Sequence, residues 1–276
     1  MKEKQLSIYG STGFVGSNFM KIYPKSLGID RESRCPKSSD ILYLISTTDN
    51  YNVLNDSFVD IDTNLRVLME TLDECRSYGI DTFNFISSWF VYGEVPLPAN
   101  EKSYCDPKGF YSITKRCAEQ LLISYCDTFG IDYRILRLCN VYGTTDKKAS
   151  KKRNALQYLI SRLKRGEEIP LYDGGEFYRN YMHVVDICRS INTVCSLGQK
   201  NEIYNIGSTN NYQFRDLIKI AVDETRSSSK IVSIPPPEFH KTVQVKDMLL
   251  DTKKLYQLGF EESITIEEGI RKLCED

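Results

Sequence analysis

The chain has 276 residues, 26% of them charged, with a net charge of −1 and 41% apolar side chains. That length is enough to bury a large core, in either one domain with a sizeable appendage or two lobes sharing a cleft, and the balanced charge supplies no basic field for nucleic acid and no acidic tail. Nine cysteines without a C-x-x-C pair and only two histidines argue against a metal centre and predict reduced, mostly buried thiols; no run reaches the ~20 apolar residues of a membrane span, and M-K-E-K-Q at the start lacks a signal-peptide region, so a cytoplasmic protein is expected.

A strand over Gln5–Tyr9 runs straight into G-S-T-G-F-V-G, with glycines at 10, 13 and 16. Gly10 suits a tight turn and Gly13 lets a backbone approach a pyrophosphate, while Gly16 allows close packing on the sheet. A helix starting near Phe14 then turns its unpaired N–H groups and positive end toward that phosphate. Thr12, Phe14 and Val15 complete the turn as candidate cofactor contacts. Asp30, twenty residues past Gly10, is placed for an adenosine ribose and favours NAD, because a carboxylate repels a 2′-phosphate; Arg31 and Arg34 beside it leave NADP open. Only ten residues separate Asp30 from Asp40, where the next strand opens, so there is no room for a further strand and helix, and the sheet is expected to have six parallel strands.

Strands are predicted over Ile41–Ile45, Thr82–Ile86 and Tyr133–Leu138, and helices over Thr63–Tyr78 and Phe110–Phe129, with Gly79 and Gly130 where C-caps belong. The basic stretch Lys147–Arg153 reads as a solvated loop. Beyond it come helices over Ala155–Arg165, Phe214–Thr225 and Ile266–Leu273, another after Asn180–Asn192, a turn at 172–177 and a proline-rich connector at Ile234–Pro237. The expected fold class is α/β, a Rossmann-like doubly wound parallel sheet with a smaller mixed α/β C-terminal substrate lobe. Residues 1–142 plus about 182–206 would form the dinucleotide-binding domain, and about 143–181 plus 207–276 the substrate lobe.

The strand at Thr82–Ile86 ends in S-S-W-F-V-Y-G, residues 87–93, and Tyr111 and Lys115 lie four apart in the next helix, on one face. An ammonium beside a phenol stabilises the phenolate and lowers a tyrosine from its usual value of about 10. A serine hydroxyl on the neighbouring strand end can hold a substrate oxygen while the phenolate takes its proton. A second Tyr-x-x-x-Lys, at Tyr104 and Lys108, is interrupted by Pro107, which suits a helix start better than a helix interior, and is set aside.

These motifs resemble the extended short-chain dehydrogenases/reductases, specifically the NAD-dependent epimerase/dehydratase group that acts on nucleotide-linked sugars. The G-x-x-G-x-x-G spacing belongs to that type. The likeness continues in N-L-R-V-L-M-E-T-L from Asn64, R-L-C-N-V-Y-G at 137–143, F-Y-R-N-Y-M-H-V-V-D at 177–186, I-Y-N-I-G-S at 203–208 and L-D-T-K-K-L-Y-Q-L-G-F at 250–260. The resemblance implies Ser88, Tyr111 and Lys115 as the catalytic set, Asn140 near the nicotinamide or the substrate phosphates, and Arg179 on the nucleotide diphosphate. Ser46 and Thr47 stand where the family has H-L-A-A beside the cofactor; without the histidine only a backbone role is implied. Asn64, Asp186 and Asp251 are expected to hold turns and caps. The implied partners are a nucleotide-diphosphate sugar and a second copy of the chain, dimerising through the two long helices.

Two departures bear on the reaction. Dehydratases of the group carry Asp-Glu directly after the catalytic hydroxyl residue, and 3,5-epimerising members a cysteine; here Trp89 and Phe90 follow Ser88, and neither side chain transfers protons. They are expected instead to form an apolar wall for a pyranose ring. The remaining readings are a 4-epimerase working by transient hydride transfer at the sugar C4, an NAD(P)H-dependent reductase of 4-keto-6-deoxy sugars, and a non-catalytic dinucleotide sensor, against which the intact Ser88, Tyr111 and Lys115 count.

Overall fold

The computed structural model describes residues 5–48, 50–144, 146 and 154–275; the basic stretch Lys147–Arg153 lies outside the described residues. The first half runs β1 (Leu6–Tyr9), α1 (Phe14–Ile22), β2 (Leu27–Ile29), β3 (Asp40–Tyr43), α2 (Val59–Ile61), α3 (Val67–Tyr78), β4 (Thr82–Ser88), α4 (Phe110–Phe129) and β5 (Asp132–Leu138). The second half runs β6 (Asn140–Tyr142), α5 (Ala155–Lys164), β7 (Ile169–Tyr172), β8 (Tyr178–His183), α6 (Val184–Leu197), β9 (Glu202–Ile206), β10 (Asn211–Gln213), α7 (Phe214–Thr225), β11 (Ile231–Ile234), α8 (Glu238–Val243), α9 (Lys253–Tyr256) and α10 (Ile266–Glu275).

Six parallel strands form the main sheet in the order β2-β1-β3-β4-β5-β9, as the short link between Asp30 and Asp40 requires. Alternation along the strands divides the apolar side chains between two layers. Ile8, Leu42, Leu136 and Ile206 pack with Phe19 of α1 and Ile187 and Ile191 of α6. Tyr9, Ile41, Tyr43, Phe85 and Ile135 pack with Leu68 and Leu72 of α3 and Ala118 and Leu122 of α4. A third core joins α5, α7 and α10 to β7 through Leu159, Ile169, Leu217 and Ile270. Around it lie a three-stranded sheet, β10-β8-β6, and the parallel pair β11-β7. Among the described residues no helix is long and apolar enough to cross a membrane, and five of the nine cysteines are buried.

Several boundaries differ from the periodicity. The helix expected over Thr63–Tyr78 opens with a wide π turn at Asp62–Arg66 before α3 begins. Asn64 in that turn is 2% exposed and donates to Thr47 Oγ1 and Thr114 Oγ1, so the widened turn aims a polar side chain inward. The strand over Thr82–Ile86 continues to Ser88. Helix α4 starts at Phe110, where the periodicity puts it, and not at Pro107, because Gly109 intervenes at φ +80°, where a side chain is strained and its Cβ would lie 2.5 Å from Asn50 Oδ1.

Glu119 and Arg137 are fully buried beside the sheet. Arg137 Nε and Nη2 donate to the two carboxylate oxygens at 2.9 and 2.7 Å, and Ser87 Oγ and Arg116 Nη1 donate as well. Burial raises the Glu119 carboxyl, but the Arg137 hydrogen bond and charge, with Ser87 and Arg116, outweigh it and hold the group below the usual carboxylate range. Glu119→Ala strands a buried guanidinium, and urea unfolding is expected to show a loss of about 3–5 kcal/mol; a variant as stable as wild type would contradict this role.

Candidate active site

One cavity of about 1180 Å³ opens at the C-terminal ends of β1, β3, β4 and β5 and is walled on its far side by the small sheets. Its lining includes Gly10, Thr12, Gly13, Phe14, Val15, Gly16, Ser46, Thr47, Ser88, Trp89, Phe90, Tyr111, Lys115, Asn140 and Arg179, which are all the sequence-derived candidates except Asp30, Arg31 and Arg34.

At the glycine end, Gly10 adopts φ +80° and Gly13 N–H donates to its carbonyl at 3.0 Å. A Cβ on Gly16 would stand 2.2 Å from Gly10 O, so the packing of α1 on the turn admits no side chain there. Gly13 is the N-cap of α1 and supplies no side-chain acceptor. The first turn of α1 lines the cavity, and N–H groups at a helix start suit an anion, so this donor set fits a dinucleotide pyrophosphate.

Asp30 and Arg31 are exposed and stand outside the cavity wall, at the end of β2. Gly28, two residues before Asp30, lies against the turn, its Cβ position 3.1 Å from Ser11 Oγ. Arg34 reaches Glu70 Oε2 at 3.4 Å through both Nε and Nη2 and donates to Arg31 O, an arrangement that draws it away from a ribose phosphate.

Lys115 and Tyr111 are both buried on one side of α4. Lys115 Nζ donates to Ile86 O at 2.7 Å and lies 4.1 Å from the centre of the Phe85 ring. Ser88 ends β4, and its Oγ accepts from Phe90 N–H at 3.3 Å. Trp89 and Phe90 stack at 4.0 Å, and Phe90 meets the Tyr111 ring edge-on at 5.8 Å, so the wall beside the phenol is apolar. The competing Tyr104 is 78% exposed and Lys108 pairs with Glu94, away from the cavity. Asn64 accepts from Ser46 Oγ and Thr47 N–H, which ties the loop after β3 to α4. Asp186 accepts from the Ser263 and Ile264 N–H groups, and Asp251 from Lys253 N–H, the turn-holding roles expected of both.

Arg179 is 8% exposed and has no carboxylate within ion-pair distance among the described residues. Its Nη1 donates to Tyr178 O and Lys246 O and its Nη2 to Val245 O, while the guanidinium sits 4.8 Å from the Phe177 ring and 5.3 Å from Trp89. Burial takes it down to about 10, so it remains a cation at neutral pH. Asn140 Nδ2 donates to Asn180 O nearby. Tyr51, Tyr158, Tyr172, His240 and Gln244 also line the cavity and belong to none of the motifs. Only the turn after Tyr172 marked any of them in the sequence.

The sequence profile of the NAD dependent epimerase/dehydratase family matches residues 40–207, more than half of the chain. The chain belongs to that family. The match begins at β3, past the glycine turn and the shortened link. As a member of the NAD-dependent epimerase/dehydratase family, the protein is an NAD-dependent enzyme of the short-chain dehydrogenase/reductase type. It is 28% identical over 224 residues to a Methanocaldococcus jannaschii protein provisionally named UDP-glucose 4-epimerase, covering 80% of this chain and 71% of that relative. It is 29% identical over 245 residues to a trifunctional UDP-glucose 4,6-dehydratase/UDP-4-keto-6-deoxy-D-glucose 3,5-epimerase/UDP-4-keto-L-rhamnose-reductase of Arabidopsis thaliana, covering 85% of this chain and 35% of that protein. The crystal structure of a UDP-glucose 4-epimerase with UDP-glucose from Thermotoga maritima shares the fold, with a TM-score of 0.88 at 22% identity over 99% of this chain and 98% of that one.

Burial lowers Lys115 from 10.5 to about 7, against the opposing charge of Glu119. Between those values the folded protein binds fewer protons than the unfolded chain, so this group's contribution to stability is smallest below about pH 7 and grows as pH rises toward 10.5. The difference in urea-unfolding free energy between wild type and Lys115→Met is expected to rise by up to about 4 kcal/mol from about pH 7 to 10. A difference that stays flat over that range would refute the burial argument.

Proposed function

We propose that the enzyme is a nucleotide-sugar 4-epimerase, with Ser88, Tyr111 and Lys115 as its catalytic residues and Arg179 and Asn140 as its diphosphate contacts. The observation that carries this reading is the single cavity in which the glycine turn, the Ser-Tyr-Lys set and a buried arginine without an acidic partner all meet. NAD, held at the turn from Gly10 to Gly16, supplies the hydride acceptor and donor. Tyr111 takes the proton of the C4 hydroxyl and later returns it, Ser88 hydrogen-bonds the same oxygen, and the Lys115 ammonium supports the phenolate. Arg179 anchors the diphosphate through a planar donor fork, so the keto-sugar can present its other face without leaving the site. Trp89 and Phe90 supply an apolar surface to the ring and no second acid or base, which speaks against 4,6-dehydration.

The same apolar wall favours a second reading, reduction of a 4-keto-6-deoxy nucleotide sugar, in which Tyr111 delivers a proton once. Incubation with UDP-, dTDP-, GDP- and CDP-sugars separates the two: isomerisation without added cofactor supports the epimerase, and stoichiometric NAD(P)H consumption by a keto-sugar supports the reductase. Tyr111→Phe is expected to lower turnover by about 10²–10⁴-fold while NAD binding, read by fluorescence titration, is unchanged. Unaltered turnover in that variant would remove Tyr111 from the chemistry.

We further propose a homodimer. Phe110, Ile113 and Leu121 recur at helical spacing on the outer side of α4, and Leu54, Phe58 and Ile61 lie exposed on the neighbouring approach to α3. Light scattering is expected to give a dimer mass for wild type and a monomer mass for Ile113→Glu. A monomeric wild type would disprove the assembly.

A further inference from the structure

The helix that carries Tyr111 begins without a side-chain cap of its own, since its N-cap is Gly109. The missing acceptor comes from elsewhere in the chain. Asn50, 1% exposed in the loop after β3, accepts the Ser112 N–H with its Oδ1 at 3.2 Å, and its Oδ1 and Nδ2 lie 3.3 and 3.2 Å from Ser112 Oγ. Ser112 is the third residue of α4, the position whose N–H an N-cap side chain ordinarily takes. Gly109 is what admits this remote cap, because a Cβ there would collide with the Asn50 amide.

The other end of Asn50 holds a different element. Its Nδ2 donates to Val243 O at 3.3 Å, at the end of α8. From Val243 the chain runs on as a strap whose next carbonyls orient Arg179: Val245 O accepts Nη2 at 2.8 Å and Lys246 O accepts Nη1. Val245 and Met248 bury their side chains in the core beneath, and His240 Nδ1 lies 2.8 Å from the hydroxyl of Tyr51, the neighbour of Asn50. A single strap therefore fixes the guanidinium at one point and, two residues earlier, the residue that caps the catalytic helix.

We propose that Asn50 is a positioning residue, which caps the Tyr111 turn of α4 and couples its alignment to occupancy of Arg179 by the substrate diphosphate. The inference rests on the reading of Arg179 as the diphosphate anchor. When the diphosphate binds, the strap is held at Arg179, its Val243 carbonyl holds Asn50, and Asn50 holds the first turn of α4 over the substrate. Asn50 touches neither substrate nor cofactor in this scheme.

The test uses hydrogen–deuterium exchange of the segment at residues 110–114 with and without saturating UDP, dTDP, GDP or CDP, alongside kinetics. In wild type, the diphosphate that binds is expected to slow exchange of that segment. Asn50→Asp keeps an acceptor for Ser112 N–H but loses the donor to Val243 O. It should bind the nucleotide within about twofold of wild type, lose the protection, and lower kcat by about ten- to a hundredfold with KM little changed. Asn50→Ala, with cap and strap tie both removed, should lose at least as much in kcat. Nucleotide binding that leaves the 110–114 segment unprotected in wild type overturns the coupling whatever the reaction proves to be, as does a folded Asn50→Asp with wild-type protection and kcat. Failure of all four nucleotides to bind overturns instead the diphosphate reading of Arg179, and this inference with it.

Discussion

The Glu119 carboxylate accepts hydrogen bonds from Ser87 at the end of β4, from Arg137 in β5 and from Arg116 in its own helix, and so locks three elements together where the sheet meets the cavity. A buried ion pair seldom adds much net stability over an apolar replacement, but it fixes register, because only one arrangement lets all three donor side chains reach the carboxylate. The consequences are local and chemical. Ser88 is the next residue after Ser87, Lys115 lies one turn before Glu119, and Lys115 Nζ reaches back to Ile86 O in the same strand. The hydroxyl and the ammonium are thereby held from both sides of the α4–β4 seam, with Tyr111 one turn further toward the cavity.

Two buried arginines show how the fold separates structural from functional charge. Arg137 is matched by a carboxylate in a bidentate pair and lies 4.7 Å from the Tyr92 ring, so its charge is spent within the protein. Arg179 is satisfied only by main-chain carbonyls and aromatic faces. Carbonyl dipoles orient a guanidinium without neutralising it, so it retains a drive toward an anion in a region of low dielectric. The proposed substrate diphosphate would supply that anion.

Legibility in the sequence followed the physics of each signal. Helix-spaced apolar residues placed α4 to the residue, alternation found four of the sheet strands within a few residues, the short link from Asp30 to Asp40 gave the six-strand count, and the fixed spacing of Tyr111 and Lys115 needed nothing beyond helix geometry. The glycine turn was readable because Gly10 and Gly16 answer to backbone constraints that no other residue meets. The π turn at Asp62–Arg66 was not, since its cause is a hydrogen-bonded contact between Asn64 and Thr114, fifty positions away. Tyr51, Tyr172 and His240 escaped for the same reason: three aromatic side chains from distant segments converge on the cavity, and no local pattern records a convergence. The basic stretch read as a solvated loop falls outside the described residues.

The shortened link after β2 changes both the sheet edge and the cofactor end. A strand and helix are missing between Asp30 and Asp40, and polar side chains of β1 take up the slack: Ser7 Oγ accepts from the Lys37 and Ser38 N–H groups at 2.9 and 2.8 Å, and Tyr9 OH donates to Arg34 O at 2.6 Å. Lys37 Nζ donates to Gly28 O, which places a charge on the edge strand and discourages pairing with another chain. The same anchoring fixes where Arg34 leaves the backbone, and from there its side chain engages Glu70. Asp30 and Arg31 stay exposed at the end of β2, with Arg34 drawn off to α3. The trimmed connection thus withdraws Arg34, one of the two arginines that could have met a 2′-phosphate.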